Sequence, residues 1–195
     1  MTSHAPTDDT STVESLTDPE TLRDREGVAF REEETVLDPA EYEDVRERVE
    51  NVAGLVLVGV TDDERRTLLV NRDGCTRGWM LPGGVVSPDE NWVAAGRRAV
   101  ERLTGVAVEI HGPAEARRTV YRPAEGTPQG RATPQGDDDR CVTHDVVWHG
   151  SPAGDATLPD APVSVDGDEW DVEWFHDLPH DVDAADEADV RLFVD

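Results

Sequence analysis

The segment from Gly78 to Val106 constrains the fold most strongly, because it joins a glycine-rich turn to one well-delimited helix. It opens with Gly-Trp-Met-Leu-Pro-Gly-Gly. Ser87-Pro88-Asp89-Glu90 then has the composition of a helix start: a capping serine, a first-turn proline and a glutamate that reaches back to the cap amide. Gly105 is a suitable stop. We therefore predict a helix from about Pro88 to Thr104.

The same segment carries residues at fixed intervals. After Gly84 come Glu90, Arg98, Val100 and then Gly105-Val106. This frame resembles the signature of the Nudix hydrolases: Gly, five residues, Glu, seven residues, Arg-Glu, an aliphatic residue, any residue, Glu-Glu, any residue, Gly, and an aliphatic residue. The resemblance implies an α/β Nudix fold, with a mixed β-sheet sandwiched between helices. It also implies hydrolysis of a nucleoside diphosphate linked to another group, with Mg²⁺ or Mn²⁺ held on the signature helix.

The metal-binding positions of that signature depart from the family. Where the family has three glutamates, this sequence has Ala99, Arg102 and Leu103. Hydrolysis of a diphosphate by water relies on divalent cations to neutralise phosphate oxygens and activate the nucleophile, and Mg²⁺ prefers hard oxygen ligands. A methyl, a guanidinium and an isobutyl group supply none. A slipped frame that uses Arg97 as the signature arginine would restore only one carboxylate, that of Glu101.

The replaced glutamates have two interpretations. The helix carries a narrow apolar stripe at a spacing of about 100° per residue, made of Trp92, Gly96, Ala99 and Leu103. In the first interpretation this stripe packs against another element or a second subunit, which would make the protein a homodimer. In the second, Arg98 and Arg102 bind a phosphate directly, because guanidinium groups suit bidentate phosphate contacts.

Three further signature residues are candidate site residues. Glu90 matches a family carboxylate and is the candidate catalytic residue, although the capping box accounts for it without catalysis. Gly83 and Gly84 are candidate substrate-binding residues, because the resemblance implies a loop whose backbone approaches the site. The alternative for both glycines is a turn that needs a positive φ.

Candidates outside the signature are weaker. In so acidic a chain, most carboxylates are expected to be solvated at the surface. Carboxylates from other loops could nevertheless hold a metal, and the candidates are Asp137, Asp138, Asp139, Asp145, Asp166, Asp168 and Glu169. Four tryptophans could stack on a base, but core burial is the commoner role: Trp79, Trp92, Trp170 and Trp174. The histidines have no ligand spacing, and Cys141 is expected to be a core or surface thiol.

Composition limits the partners. There are 44 acidic and 18 basic residues, for a net charge of -26, and no lysine. This balance is typical of proteins in a high-salt cytoplasm, where salt screens self-repulsion and carboxylates keep the surface hydrated. It argues against nucleic-acid binding through a basic surface. With two cysteines that lack CxxC spacing, and no signal-peptide or membrane-spanning pattern, we expect a cytoplasmic protein with no membrane partner.

The chain divides into two parts. We predict an acidic N-terminal extension over residues 1–51, disordered over 1–18, with a helix from about Asp38 to Val49 that serves as a family-specific extension or a dimer contact. We expect residues 52–195 to form the Nudix-like domain, interrupted by a low-complexity loop at 122–140 with two Thr-Pro-Gln-Gly repeats. The resemblance extends to its end, where an acidic-aromatic strand precedes Asp-Leu-Pro and a short helix, 184–193.

Strands follow from apolar runs and alternation. We predict them at 52–60, 67–71, 79–81, 106–110, 116–122, 141–148 and 168–175, with a hairpin turn at 61–64 joining the first two. Two functional classes stay open: a pyrophosphohydrolase with altered metal chemistry, using Mg²⁺ or Mn²⁺, or a non-catalytic nucleotide-binding, regulatory or protein-interaction module that needs no cofactor.

Overall fold

A computed structural model of the chain describes residues 15–72, 78–124, 140–182 and 184–194. A 3₁₀-helix at Pro19–Leu22 comes first. The strands are β1 (Ala29–Leu37), β2 (Gly54–Val60), β3 (Thr67–Arg72), β4 (Gly83–Val86), β5 (Val108–Pro123), β6 (Cys141–Pro152), β7 (Val163–Val165) and β8 (Asp168–Phe175). The α-helices are α1 (Pro39–Val49), α2 (Trp92–Thr104) and α3 (Glu187–Val190).

The strands form a mixed five-stranded sheet and a smaller antiparallel one. The large sheet has the order β1-β5-β6-β2-β4, and the small one β3-β8-β7. Strand β1 is parallel to β5 and β2 is parallel to β6, whereas the other pairs are antiparallel. This architecture confirms the predicted α/β class, with a mixed β-sheet and helices.

Helix α2 covers one face of the large sheet because alternate residues of β2 point toward it. Val56, Val58 and Val60 are fully buried in a core that also contains Trp92 and Trp148. The intervening residue Leu57 belongs to a second apolar cluster, which includes α3 and part of the small sheet. The period of two along β2 thus separates two packed layers, and the candidate site lies on the second.

Several predicted elements are confirmed. Helix α1 begins after Asp38, whose carboxylate accepts backbone N–H groups while Glu41 completes a capping box. Strand β8 has the predicted bounds, and β3 is one residue longer than predicted. The confirmed elements are those with a strong local cap or a clear alternation of residues.

Other boundaries are wrong for physical reasons. The turn at 61–64 does not join a two-stranded hairpin within one sheet, since β2 and β3 belong to different sheets. Residues 79–81 form only isolated bridges at Trp79 and Met80, and the regular strand is β4. The two strands predicted at 106–110 and 116–122 are one continuous strand, β5, with two register shifts. The last helix is shorter than predicted.

The N-terminal segment contributes to the large sheet. Strand β1 forms its edge beside β5, and Glu20 of the 3₁₀-helix accepts hydrogen bonds from Arg118 at 2.7 Å and shares one with His144 at 2.8 Å. Disorder is predicted over residues 1–18; residues 1–14 lie outside the described residues, as do the Thr-Pro-Gln-Gly repeats within 125–139, but Leu16 contradicts the prediction because it packs in the core and its carbonyl accepts the Trp92 N–H. The domain boundary at residue 52 stays a prediction.

Across the described residues, no helix is long and apolar enough to cross a membrane.

Candidate active site

The signature helix begins later than the sequence pattern suggests. Asn91 Oδ1 accepts hydrogen bonds from the backbone N–H groups of Val93 and Ala94 at 2.9 and 3.3 Å, so that α2 begins at Trp92. Asp89 has φ 63°, which is incompatible with a helix start at Pro88. The predicted stop is confirmed, because Gly105 has φ 73° and donates to Glu101 O.

Glu90 connects the preceding turn to α2. One carboxylate oxygen accepts the Ser87 N–H at 3.0 Å, as the capping box predicts, and the other forms an ion pair with the Arg98 guanidinium. The Arg98 guanidinium and then the Ser87 N–H hold the pKa of Glu90 below its ordinary value, against a smaller effect of burial. Glu90 is therefore ionised and already partnered.

The three altered positions lie in different surroundings. Leu103 is 8% exposed and lines a pocket. Ala99 is partly exposed and faces Gly84 across a close contact between α2 and β4. Arg102 is exposed and forms an ion pair with Asp166. None of the three presents an oxygen donor.

The divalent cation implied by the family does not fit this donor set. A Mg²⁺ site needs several converging oxygen ligands, and Glu90, the one carboxylate that this sequence keeps at a glutamate position of the signature, is bound to Arg98. Within residues 15–72, 78–124, 140–182 and 184–194, no three His, Cys, Asp or Glu side chains are arranged to hold a metal ion. Asp137, Asp138 and Asp139 lie outside these ranges.

A pocket of about 330 Å³ opens beside the signature helix and contains both signature glycines, Gly83 and Gly84. Its apolar wall comes from β2, β3, α2 and the segment before β4: Leu55, Leu57, Val70, Leu81 and Leu103. Cβ atoms would not fit on Gly83, since one would lie 2.4 Å from Val56 O. A small residue is thus needed where β4 meets β2 at the pocket wall.

The polar end of the pocket is built around Arg117 of β5. Its Nη2 donates to Asp189 Oδ2 at 2.7 Å, and its Nε lies 3.7 Å from Glu115 Oε1. Asp145 of β6 is the cross-strand partner of Arg117. Burial raises the pKa of Asp145, an effect that Arg117 opposes and the like charge of Asp189 reinforces.

The other candidate site residues lie in different parts of the structure. Asp145 and Trp170 line the pocket. Asp168 forms an ion pair with Arg72, and Trp92 is 1% exposed within the core. Cys141 is a buried free thiol.

Sequence reasoning missed Arg117, Asp186 and Asp189, all of which line the pocket. Arg117 belongs to a strand whose apolar alternation is broken by two register shifts, and the two aspartates lie in an acidic segment that is typical of a solvated helix. Their convergence depends on strand register and on where α3 docks, which have no local sequence signal.

Solved structures similar to this chain include three Nudix or diphosphatase proteins at low sequence identity. No curated protein matches the chain. A MutT NUDIX hydrolase from Burkholderia pseudomallei is 19% identical with a TM-score of 0.47, covering 72% of this chain and 96% of that one. A UDP-X diphosphatase is 16% identical with a TM-score of 0.47, covering 80% and 70%. An ADP-ribose pyrophosphatase from Streptococcus suis is 15% identical with a TM-score of 0.43, covering 71% and 86%.

The family assignment rests on a model of the domain. The NUDIX domain model matches residues 50–189, a range that includes the signature frame, the pocket and β8. The chain belongs to the Nudix family.

Proposed function

We propose that this domain binds a small molecule of nucleoside or nucleotide type in the pocket beside α2 and does not carry out metal-dependent pyrophosphohydrolysis. The observation that carries the proposal is Leu103, which occupies a glutamate position and forms part of the pocket wall. An apolar wall favours a bound organic group over a hydrated cation.

The arginines of α2 give little support to direct phosphate binding. Arg98 is paired with Glu90, and Arg102 with Asp166. Neither lines the pocket. A phosphate would have to displace a carboxylate from either guanidinium, so that the gain from the new contact would be offset by loss of the existing one.

The apolar stripe of α2 favours packing within the chain over a dimer contact. Trp92, Gly96 and Leu103 are buried, and a Cβ on Gly96 would lie 3.0 Å from Ile110 Cδ1. Trp92 and Gly96 pack against the protein's own sheet, whereas Ala99 faces Gly84 of β4 and Leu103 lines the pocket. Homodimerisation through another surface stays a prediction.

A residual hydrolase is the second candidate function. It is favoured by Asp145, whose carboxyl group lines the pocket and has a pKa raised by burial. A carboxyl group of this kind suits general acid–base catalysis. Without a metal set, however, the charge that develops on a cleaved diphosphate lacks its usual stabilisation.

Two measurements on the full chain in molar KCl test the proposal. We expect the wild type to release no product from a panel of nucleoside diphosphate derivatives with Mg²⁺. We also expect a compound of this panel that binds to raise the Tm of the wild type. Leu57→Trp, which fills the pocket, should abolish the Tm shift, whereas Val36→Trp, at an exposed position on β1, should preserve it. Mg²⁺-dependent turnover would overturn the proposal.

A further inference from the structure

The polar end of the pocket contains more carboxylates than cations. Asp145, Asp186 and Asp189 line the pocket, together with one basic residue, Arg117. The guanidinium of Arg117 is already hydrogen-bonded to Asp189 and is flanked by Glu115. An incoming anion would therefore meet an excess of negative charge and would compete with Asp189 for Arg117.

Asp145 differs from the many surface acids of this chain. Exposed carboxylates are solvated at little cost, but a partly buried carboxylate needs a partner or becomes protonated. Asp145 lies within β6 between β2 and β5, opposite Leu55 and Arg117, and makes no ion pair with any described residue. Arg117, the Leu55 backbone amide and His144 each favour the charged form of Asp145, but burial and the charge of Asp189 outweigh them and raise its pKa. Arg117 bonds directly to Asp189 instead.

The rest of the pocket suits a flat, largely apolar ligand. Leu57, Val70 and Leu103 contribute aliphatic surface, and Trp170 contributes an aromatic side chain. The indole Nε1 of Trp170 is shielded from solvent and has no hydrogen-bond partner among the described residues. The lining thus combines apolar walls, a tryptophan and an incompletely compensated acid in a volume of about 330 Å³.

We propose that this pocket binds a planar ligand with an amidine-like or cationic nitrogen edge, which donates hydrogen bonds to Asp145, and that it discriminates against phosphate groups. The inference rests on the proposed function and specifies its ligand class. Amino-substituted nucleobases have such an edge, and a carboxylate accepts hydrogen bonds from a nitrogen donor of this kind. In the family, metals on the signature helix bind the phosphate groups of the substrate. This pocket instead selects the nitrogen edge of its ligand.

A matched pair of small probes tests the charge preference directly. Benzamidine and benzoate have similar planar shapes and opposite charges. In calorimetric titrations of the full chain, we expect saturable binding of benzamidine and none of benzoate or inorganic pyrophosphate, with or without Mg²⁺. Adenosine should bind at least as tightly as ADP, because each added phosphate adds negative charge to an acidic pocket.

Two variants locate the interaction. Asp145→Asn removes the carboxylate with little change of shape and should weaken benzamidine binding by about tenfold or more, because a charge-assisted hydrogen bond is lost. Asp177→Asn makes the same change at an exposed position and should leave binding unchanged. Circular dichroism and Tm measurements establish that both variants are folded.

The outcomes separate this inference from the proposed function. Failure of benzamidine to bind, equal binding of benzoate, preference for ADP over adenosine, or undiminished binding by Asp145→Asn would each overturn the inference. ADP binding without turnover would leave the proposed function intact. Mg²⁺-dependent turnover would instead contradict the proposed function, whatever the probes show.

Discussion

Gly84 of β4 and Ala99 of α2 approach so closely that a Cβ atom on Gly84 would lie 3.2 Å from the Cβ of Ala99. This contact places the first altered glutamate position against the strand that borders the pocket. The methyl group of Ala99 occupies the interface without offering a ligand. The signature residues Gly84 and Ala99 therefore pack α2 against β4, although Ala99 provides no metal ligand.

Restoring the glutamates should create a metal site. Ala99→Glu with Arg102→Glu and Leu103→Glu would place three carboxylates on one side of α2, where spacings of three and four residues bring side chains together. We expect Mn²⁺ binding, measured by electron paramagnetic resonance. The double variant Ala99→Glu/Arg102→Glu avoids placing a charge at the buried position of Leu103.

The control for this experiment adds carboxylates on another part of the helix. Ala94→Glu with Arg97→Glu makes a comparable change of charge at positions more exposed than Leu103. A folded Ala99→Glu/Arg102→Glu variant, which makes the same change of charge as this control, would contradict the placement of α2 beside the site if it bound Mn²⁺ no better than the control.

The Glu90–Arg98 ion pair should make stability depend on pH. The pKa of Glu90 lies below its ordinary value of 4.5 in the folded protein. Its contribution is therefore present above the unfolded pKa and is lost as the pH falls through the folded pKa. Because Arg98 is 57% exposed, we expect Glu90→Gln to reduce the free energy of unfolding by only about 0.5–1 kcal/mol near neutral pH.

Urea unfolding at a series of pH values measures this effect. The difference between wild type and Glu90→Gln should shrink as the solution is acidified below the unfolded pKa. Glu101→Gln, which removes a carboxylate at an exposed position of the same helix, is the matched control. A difference that grows in acid would refute the assignment.

The Arg117–Asp189 pair should show strong coupling. Its N–O distance is 2.7 Å and the Asp189 side chain is 5% exposed. Removing one partner leaves a poorly solvated charge, so Asp189→Asn should cost about 3 kcal/mol. Arg117→Met/Asp189→Leu removes both charges and should cost less than the single variants Arg117→Met and Asp189→Leu added together. Additive costs in a double-mutant cycle of unfolding free energies would exclude the coupling.

Gly54 should be intolerant of any side chain. In its present geometry a Cβ on Gly54 would overlap His144 O, and it would lie 2.8 Å from the Trp92 ring. Gly54→Ala should lower the free energy of unfolding by at least about 2 kcal/mol through forced separation of β2 and β6. Gly112→Ala has open space around it and should change stability by less than about 0.5 kcal/mol. Equal effects in thermal unfolding would contradict the packing described.

Local signals explain which elements could be predicted from sequence. The caps at Asp38 and Gly105 and the alternation of 168–175 each depend on neighbours within a few residues. The sequence predicts too early a start for α2, because Ser87 and Asn91 are both plausible caps, and the positive φ of Asp89 excludes the earlier one. The Trp92 N–H at this start donates to the carbonyl of Leu16, a distant residue that a local pattern does not include.

The candidate site was only half predictable. The spacing from Gly84 to Gly105 identified the helix, the strand and the altered positions, because that frame is contiguous. Arg117 and Asp189 are 72 residues apart, and their meeting is a property of strand register and helix docking. A local sequence pattern therefore does not predict this contact.

Anomalous diffraction from crystals soaked in MnCl₂ with a nucleoside diphosphate derivative tests the central claim most directly, because it separates a site beside α2 from ions scattered over the acidic surface. We predict no manganese peak within coordination distance of Glu90, Asp145 or any residue of α2. A manganese ion coordinated there and bridging to the diphosphate would contradict it.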